Sequence, residues 1–119
     1  MNLVQTAEGR LGIDADRATK GVGTLFVAIR MAVDMKTFSQ IASAFPDCGL
    51  WMLKAPFENA GTGEMLAMAT PGAVRRMLAI AGFERSQIPE LCTIVGSAVR
   101  AAVPPATYQS VVENLPLFE

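Results

Sequence analysis

The sequence predicts an all-α domain assembled from two tandem three-helix units. Three observations point there. A stretch of the chain repeats at a fixed offset, its apolar residues recur at steps of three and four, and glycine and proline punctuate both copies at matching places. "AIRMAVDMKTFSQIASAFP" at 28–46 aligns without a gap on "AVRAAVPPATYQSVVENLP" at 98–116, an offset of 100 − 30 = 70. Arg30 falls on Arg100, Ala32 on Ala102, Val33 on Val103, Thr37 on Thr107 and Pro46 on Pro116. Across 12–48 against 82–118, seven of 37 positions are identical. No stretch of useful length alternates with period two, so strands are not expected.

The first helix of each unit carries Leu3, Val4, Ala7 and Leu11, or Val74, Met77, Leu78 and Ala81. Gly12 and Gly82 follow, each before an apolar residue, Ile13 or Phe83. Glycine takes the left-handed conformation without strain, so this pattern reads as a Schellman-type helix stop. A long second helix then places Ala18, Val22, Leu25, Phe26, Ile29 and Val33 on one face, matched by Ile88, Cys92, Val95, Gly96, Val99 and Val103. Asp16 and Ser86 stand where an N-cap is wanted. The third, short helix starts at Asp34, an N-cap type, or at Pro104-Pro105, with Pro105 suited to the first helical position. Phe38, Ile41, Ala42 and Phe45 form its face, as do Tyr108, Val111, Val112 and Leu115, and Pro46 and Pro116 end it.

These boundaries give one domain over 1–119, with units at 1–48 and 71–119 and a connecting segment over 49–70. A single unit of ~45 residues has too small a core to stand alone, so the second copy is expected to close a shared core. In the connecting segment a short helical turn is predicted near 49–54 and a loop over 55–62. A helix is then expected from near Gly63, with a bend at Pro71.

Composition narrows the function classes. Hydrophobic residues make up 51% and charged residues 18% of 119, more apolar and less charged than a typical soluble domain. Such a fold is expected to hide surface in a partner or in a second copy. Net charge is −1 and no basic run exceeds Arg75–Arg76, so no nucleic-acid footprint is present. The most apolar window, "GVGTLFVAIRMAV", is too short to span a membrane and carries Arg30. The opening "MNLVQTAEGR" lacks the layout of a signal peptide, and a cytoplasmic location is expected. Histidine is absent, which removes the commonest general base and the commonest transition-metal ligand.

The segment over 11–56 resembles a bacterial family of small proteins of unknown function, VcgC/VcgE. The residues that carry the likeness are Leu11-Gly12-Ile13, Gly21-Val22-Gly23, Phe38-Ser39-Gln40-Ile41, Pro46 and Ala55-Pro56. The resemblance implies a helical fold, and no activity, cofactor or site residue.

Candidate sites are few. Arg30 and Arg100 lie one turn before the ends of the long helices, where they can form paired anion sites or simply complement the helix dipole. "KGVGT" at 20–24 and "AGTGE" at 60–64 lack the spacing of a phosphate loop, and Gly21 and Gly23 read better as sites of close helix approach. Cys92 falls on the core position of Val22, while Cys48, near a turn, is expected to be more exposed. The carboxylates, among them Glu8, Asp14, Glu58, Glu64, Glu84 and Glu90, form no metal-ligand pattern and read as caps and first-turn charges. Met65, Met68 and Met77 read as core or as a pliable groove. Leu50, Trp51, Leu53 and Phe57 are too apolar for a free linker, and the repeat contains no copy of them. They are the expected interface, with Trp51 either in that contact or plugging the end of the core. The chain therefore reads as a non-enzymatic helical module without cofactor that forms a homo-oligomer or binds a protein partner. The alternative is a carrier of a small apolar ligand held between the two units.

Overall fold

The protein, described here from a computed structural model, is seen over residues 2–55 and 71–118. Those residues form seven helices and no strand. They are α1 (Leu3–Leu11), α2 (Ala15–Ala32), α3 (Met35–Ala44), α4 (Cys48–Leu53), α5 (Pro71–Ile80), α6 (Gln87–Ala102) and α7 (Pro105–Asn114). Phe57, Met65, Met68, the glycines of "AGTGE" and the helix expected from Gly63 to Pro71 lie outside the described residues.

Local chemistry sets most helix ends. Asn2 caps α1 through a capping box: the Gln5 N–H donates to Asn2 Oδ1 at 2.8 Å and the Asn2 N–H donates to Gln5 Oε1 at 3.0 Å. Asp34 caps α3 as expected, its Oδ1 accepting from the Thr37 N–H at 2.7 Å. Pro105 opens α7 at its first position. Helices α3 and α7 end at Ala44 and Asn114, and Pro46 and Pro116 stand just beyond. The cap of α2 is Asp14, not Asp16: Asp14 Oδ1 accepts from the Arg17 N–H at 2.8 Å. Asp16 sits in the first turn, where the dipole also favours an acid, and pairs with Lys20 at 2.9 Å. Ser86 precedes α6 without a side-chain cap bond, and Gln87 instead reaches back to accept from the Glu84 N–H at 2.9 Å.

Both glycine corners have positive φ, 64° at Gly12 and 103° at Gly82. At the second corner the Gly82 N–H donates to Ala79 O and the Phe83 N–H to Leu78 O, the paired bonds of a Schellman motif. At the first, the Gly12 and Ile13 N–H groups both donate to Glu8 O.

Helix α2 is the centre of the packing and touches all six other helices. Its apolar face was expected on one side, yet every residue from Gly21 to Ile29 is buried. The reason is α4, which crosses the other side at Gly23, where a Cβ would overlap the carbonyl of Trp51. Gly21 similarly makes room for Phe83 and Leu91. Buried Thr24 leaves no polar orphan, because its hydroxyl donates to Lys20 O at 2.7 Å. Helix α1 packs on α6 and α5 on α2, while α3 meets α7. At that last contact Thr107 Oγ1 donates to Gln40 Oε1. The C-terminal residues fold back, with the Tyr108 hydroxyl donating to Phe118 O at 2.8 Å and the Phe118 ring over Gly96.

Candidate functional site

The residues singled out around 50–53 fall on α4, a helix of six residues with two unlike faces. Trp51, expected on an outer surface or in the end of the core, takes the inner place at 8% exposure. Its ring meets Phe26 with centroids 5.6 Å apart, edge to face, and Phe45 lies 5.3 Å from Phe26. The cluster joins α2, the end of α3 and α4, and Gly23 permits it by letting the α4 backbone approach. Leu50 and Leu53, one turn apart, face outward at 64% and 82% exposure. Asp47 and Lys54, both exposed, flank α4 at its two ends.

An open groove of about 540 Å³ runs beside this cluster. Leu3 of α1, Ile94 of α6, Phe45 and the edge of Trp51 form its apolar walls, with Arg10 and Asp47 adding opposite charges. It offers apolar contact with a few polar groups, and no acid–base pair aimed at a common point.

A second concavity of about 440 Å³ lies between α5 and α6. Phe83 and Ile88 line it with Ala79 and Pro89, and three arginines, Arg75, Arg76 and Arg85, surround it. In the sequence, Arg75–Arg76 stands out only as a basic run too short for a nucleic-acid footprint. The signal for a shared site is the Gly82 corner, which turns the chain back and brings Arg85 to the same hollow.

Arg30 and Arg100 are both exposed in the last turns of α2 and α6. Among the described residues neither has an ion-pair partner. Cys48, expected to be more exposed, is buried like Cys92. Helix α4 turns its first residue inward. Burial pushes both thiols up, Cys92 to about 11, so neither is an activated nucleophile. No cluster of three metal-ligating side chains exists among the described residues, and no helix there is long and apolar enough to cross a membrane. No family model, curated protein or solved structure matches the chain.

Proposed function

We propose that this protein is a non-enzymatic helical module that acts by self-association, with the outer face of α4 as the contact surface. The observation behind this reading is the split of α4. Trp51 anchors the helix in the aromatic cluster, and Leu50 and Leu53 are thereby held outside on a fixed mount. Exposed large apolar side chains placed together mark contact surfaces, and burying a leucine contributes about 1.5–3 kcal/mol. Charge argues for a second copy as the occupant. Two α4 helices laid antiparallel across a two-fold bring Asp47 of one beside Lys54 of the other, so the face complements itself. Phe57, also expected at this interface, lies outside the described residues.

The reading of the fold as two units related by an approximate two-fold belongs with this proposal. Adding 70 to the bounds of α3 gives Pro105–Asn114, the bounds of α7. Exchanging α1 with α5 and α2 with α6 turns the α1–α6 contact into the α5–α2 contact. Among the described residues helix α4 has no counterpart, so the internal symmetry offers its outer face no mate there.

Cysteine cross-linking tests the contact. Cys48 and Cys92 are buried and form a quiet background. Under mild oxidation Leu50→Cys, which the antiparallel pairing places beside the two-fold, is expected to give a covalent dimer quickly, and Ile80→Cys, exposed on α5, only slowly. Equal rates would remove the proposal.

The groove favours a second reading, a carrier of a small apolar ligand. Its volume falls within the ~300–1,000 Å³ range of small-molecule sites, and its walls come from both units. Native mass spectrometry of the purified protein tests it: a co-purifying apolar mass supports the carrier, and the bare chain mass opposes it.

A further inference from the structure

We infer that the cleft between α5 and α6 is a binding site for a small amphiphilic anion, a carboxylate or phosphate group on an apolar body. The site is independent of the α4 contact. Arg75 and Arg76 stand on α5, and Arg85 lies past the Gly82 corner, ahead of α6. In a chain of net charge −1 this is a local excess of positive charge. Among the described residues no carboxylate lines the cleft. Among the described residues the only ion pair is Lys20–Asp16, so none of their carboxylates pairs with any of the three guanidinium groups. Three like charges around one hollow repel one another, and an anion between them relieves that repulsion. Guanidinium groups also suit this role geometrically, because their planar forks match carboxylate and phosphate oxygens.

The floor decides the rest of the ligand. Buried Phe83 and Ile88 show their edges to the cleft, and Ala79 and Pro89 flank them. A fully hydrated inorganic anion gains nothing from that surface, and water competes strongly for it at exposed arginines. An apolar body lying on the floor and on the aliphatic stems of the arginines removes water from one side of the charged contact. Charge and floor together therefore select an amphiphile over either a free ion or a neutral hydrocarbon.

The test is a titration followed by amide NMR, with decanoate and decyl phosphate as probes below their micelle concentrations. Decanol, acetate and inorganic phosphate serve as probes lacking one feature each. At least one amphiphile is expected to shift resonances of α5 and α6 around Phe83, and comparing the two identifies the preferred head group. Decanol, acetate and phosphate are expected to bind at least about tenfold more weakly, a difference of about 1.4 kcal/mol. Arg76→Gln combined with Arg85→Gln is expected to weaken the amphiphile by a similar factor. Ala79→Glu, at an exposed position, is expected to do the same by placing a carboxylate in the cleft, with circular dichroism unchanged. The inference is overturned if neither amphiphile shifts α5 and α6 or if decanol binds as well as decanoate. It is equally overturned if the arginine variant binds like the parent, or if the shifts fall only on the groove beside Trp51.

Discussion

A Cβ on Gly23 would overlap the main-chain carbonyl of Trp51. The obstacle is backbone, which cannot swing aside as a side chain can. Gly23→Ala is therefore expected to push α4 off α2 and to destabilise the fold by about 3 kcal/mol, at the upper end of overpacking costs. Gly49 is the internal control. It lies on α4 itself, with open space around its Cβ position, so Gly49→Ala is expected to stabilise by about 0.5 kcal/mol. Urea unfolding of both variants checks the pair. A small effect at Gly23 would mean that α4 is not seated there.

The Gly82 corner makes a second prediction. At φ 103° an alanine is strained, and its Cβ would also stand 3.2 Å from Arg17 Nε. Gly82→Ala is expected to cost about 1 kcal/mol. Gly12→Ala, at φ 64° with open space around it, is expected to cost a similar amount from strain alone. Thermal melts of the two variants measure the difference that the Arg17 contact adds.

Stability should fall in acid, and Asp34 is one identifiable cause. Its carboxyl is held below the ordinary 3.8, first by the backbone N–H of Thr37 and then by the Thr37 side chain. A group whose folded pKa is lowered contributes stability above its unfolded pKa and loses it as the pH falls through the folded pKa. Asp16 behaves likewise through Lys20. Urea midpoints between pH 7 and about pH 2.5 should therefore decline, with the main loss below about pH 4. In Asp34→Asn, which can still cap the helix, that decline should be shallower while stability at pH 7 changes little.

The thiols report on the core. With Cys92 pushed up to about 11 by burial, far less of it is thiolate at pH 8 than of an ordinary cysteine. Labelling with a disulfide reagent at pH 8 should be slow for both cysteines in the folded protein and fast in urea. Rapid labelling of one thiol in the native state would show that its wall opens.

The readable parts of the chain were those governed by neighbours in sequence. Gly12 and Gly82 announced their corners because an apolar run, a glycine and an apolar residue are local chemistry. Asp34, Pro105 and the two prolines past α3 and α7 marked helix ends for the same reason. Asp14 and Asp16 are both of a cap-forming type and stand two positions apart; the sequence reading placed the cap at Asp16, and the structure uses Asp14. The placement of Trp51 depended on Gly23, 28 positions earlier (51 − 23 = 28), and only the crossing of α4 over α2 relates them. That crossing also explains why α2, read as one-faced, is buried all round over Gly21 to Ile29. The arginine cleft was illegible for a related reason: Arg76 and Arg85 belong to one hollow only after the Gly82 corner has folded.

Self-association through α4 is tested most directly by sedimentation equilibrium over a wide concentration range. The native protein is predicted to approach twice its chain mass of 12.6 kDa as concentration rises. Leu50→Glu combined with Leu53→Glu is predicted to stay at 12.6 kDa throughout with its helicity intact, since both positions are exposed in the single chain. A native protein that remains at 12.6 kDa at every concentration, or a double variant that associates as strongly as the native protein, would contradict the account.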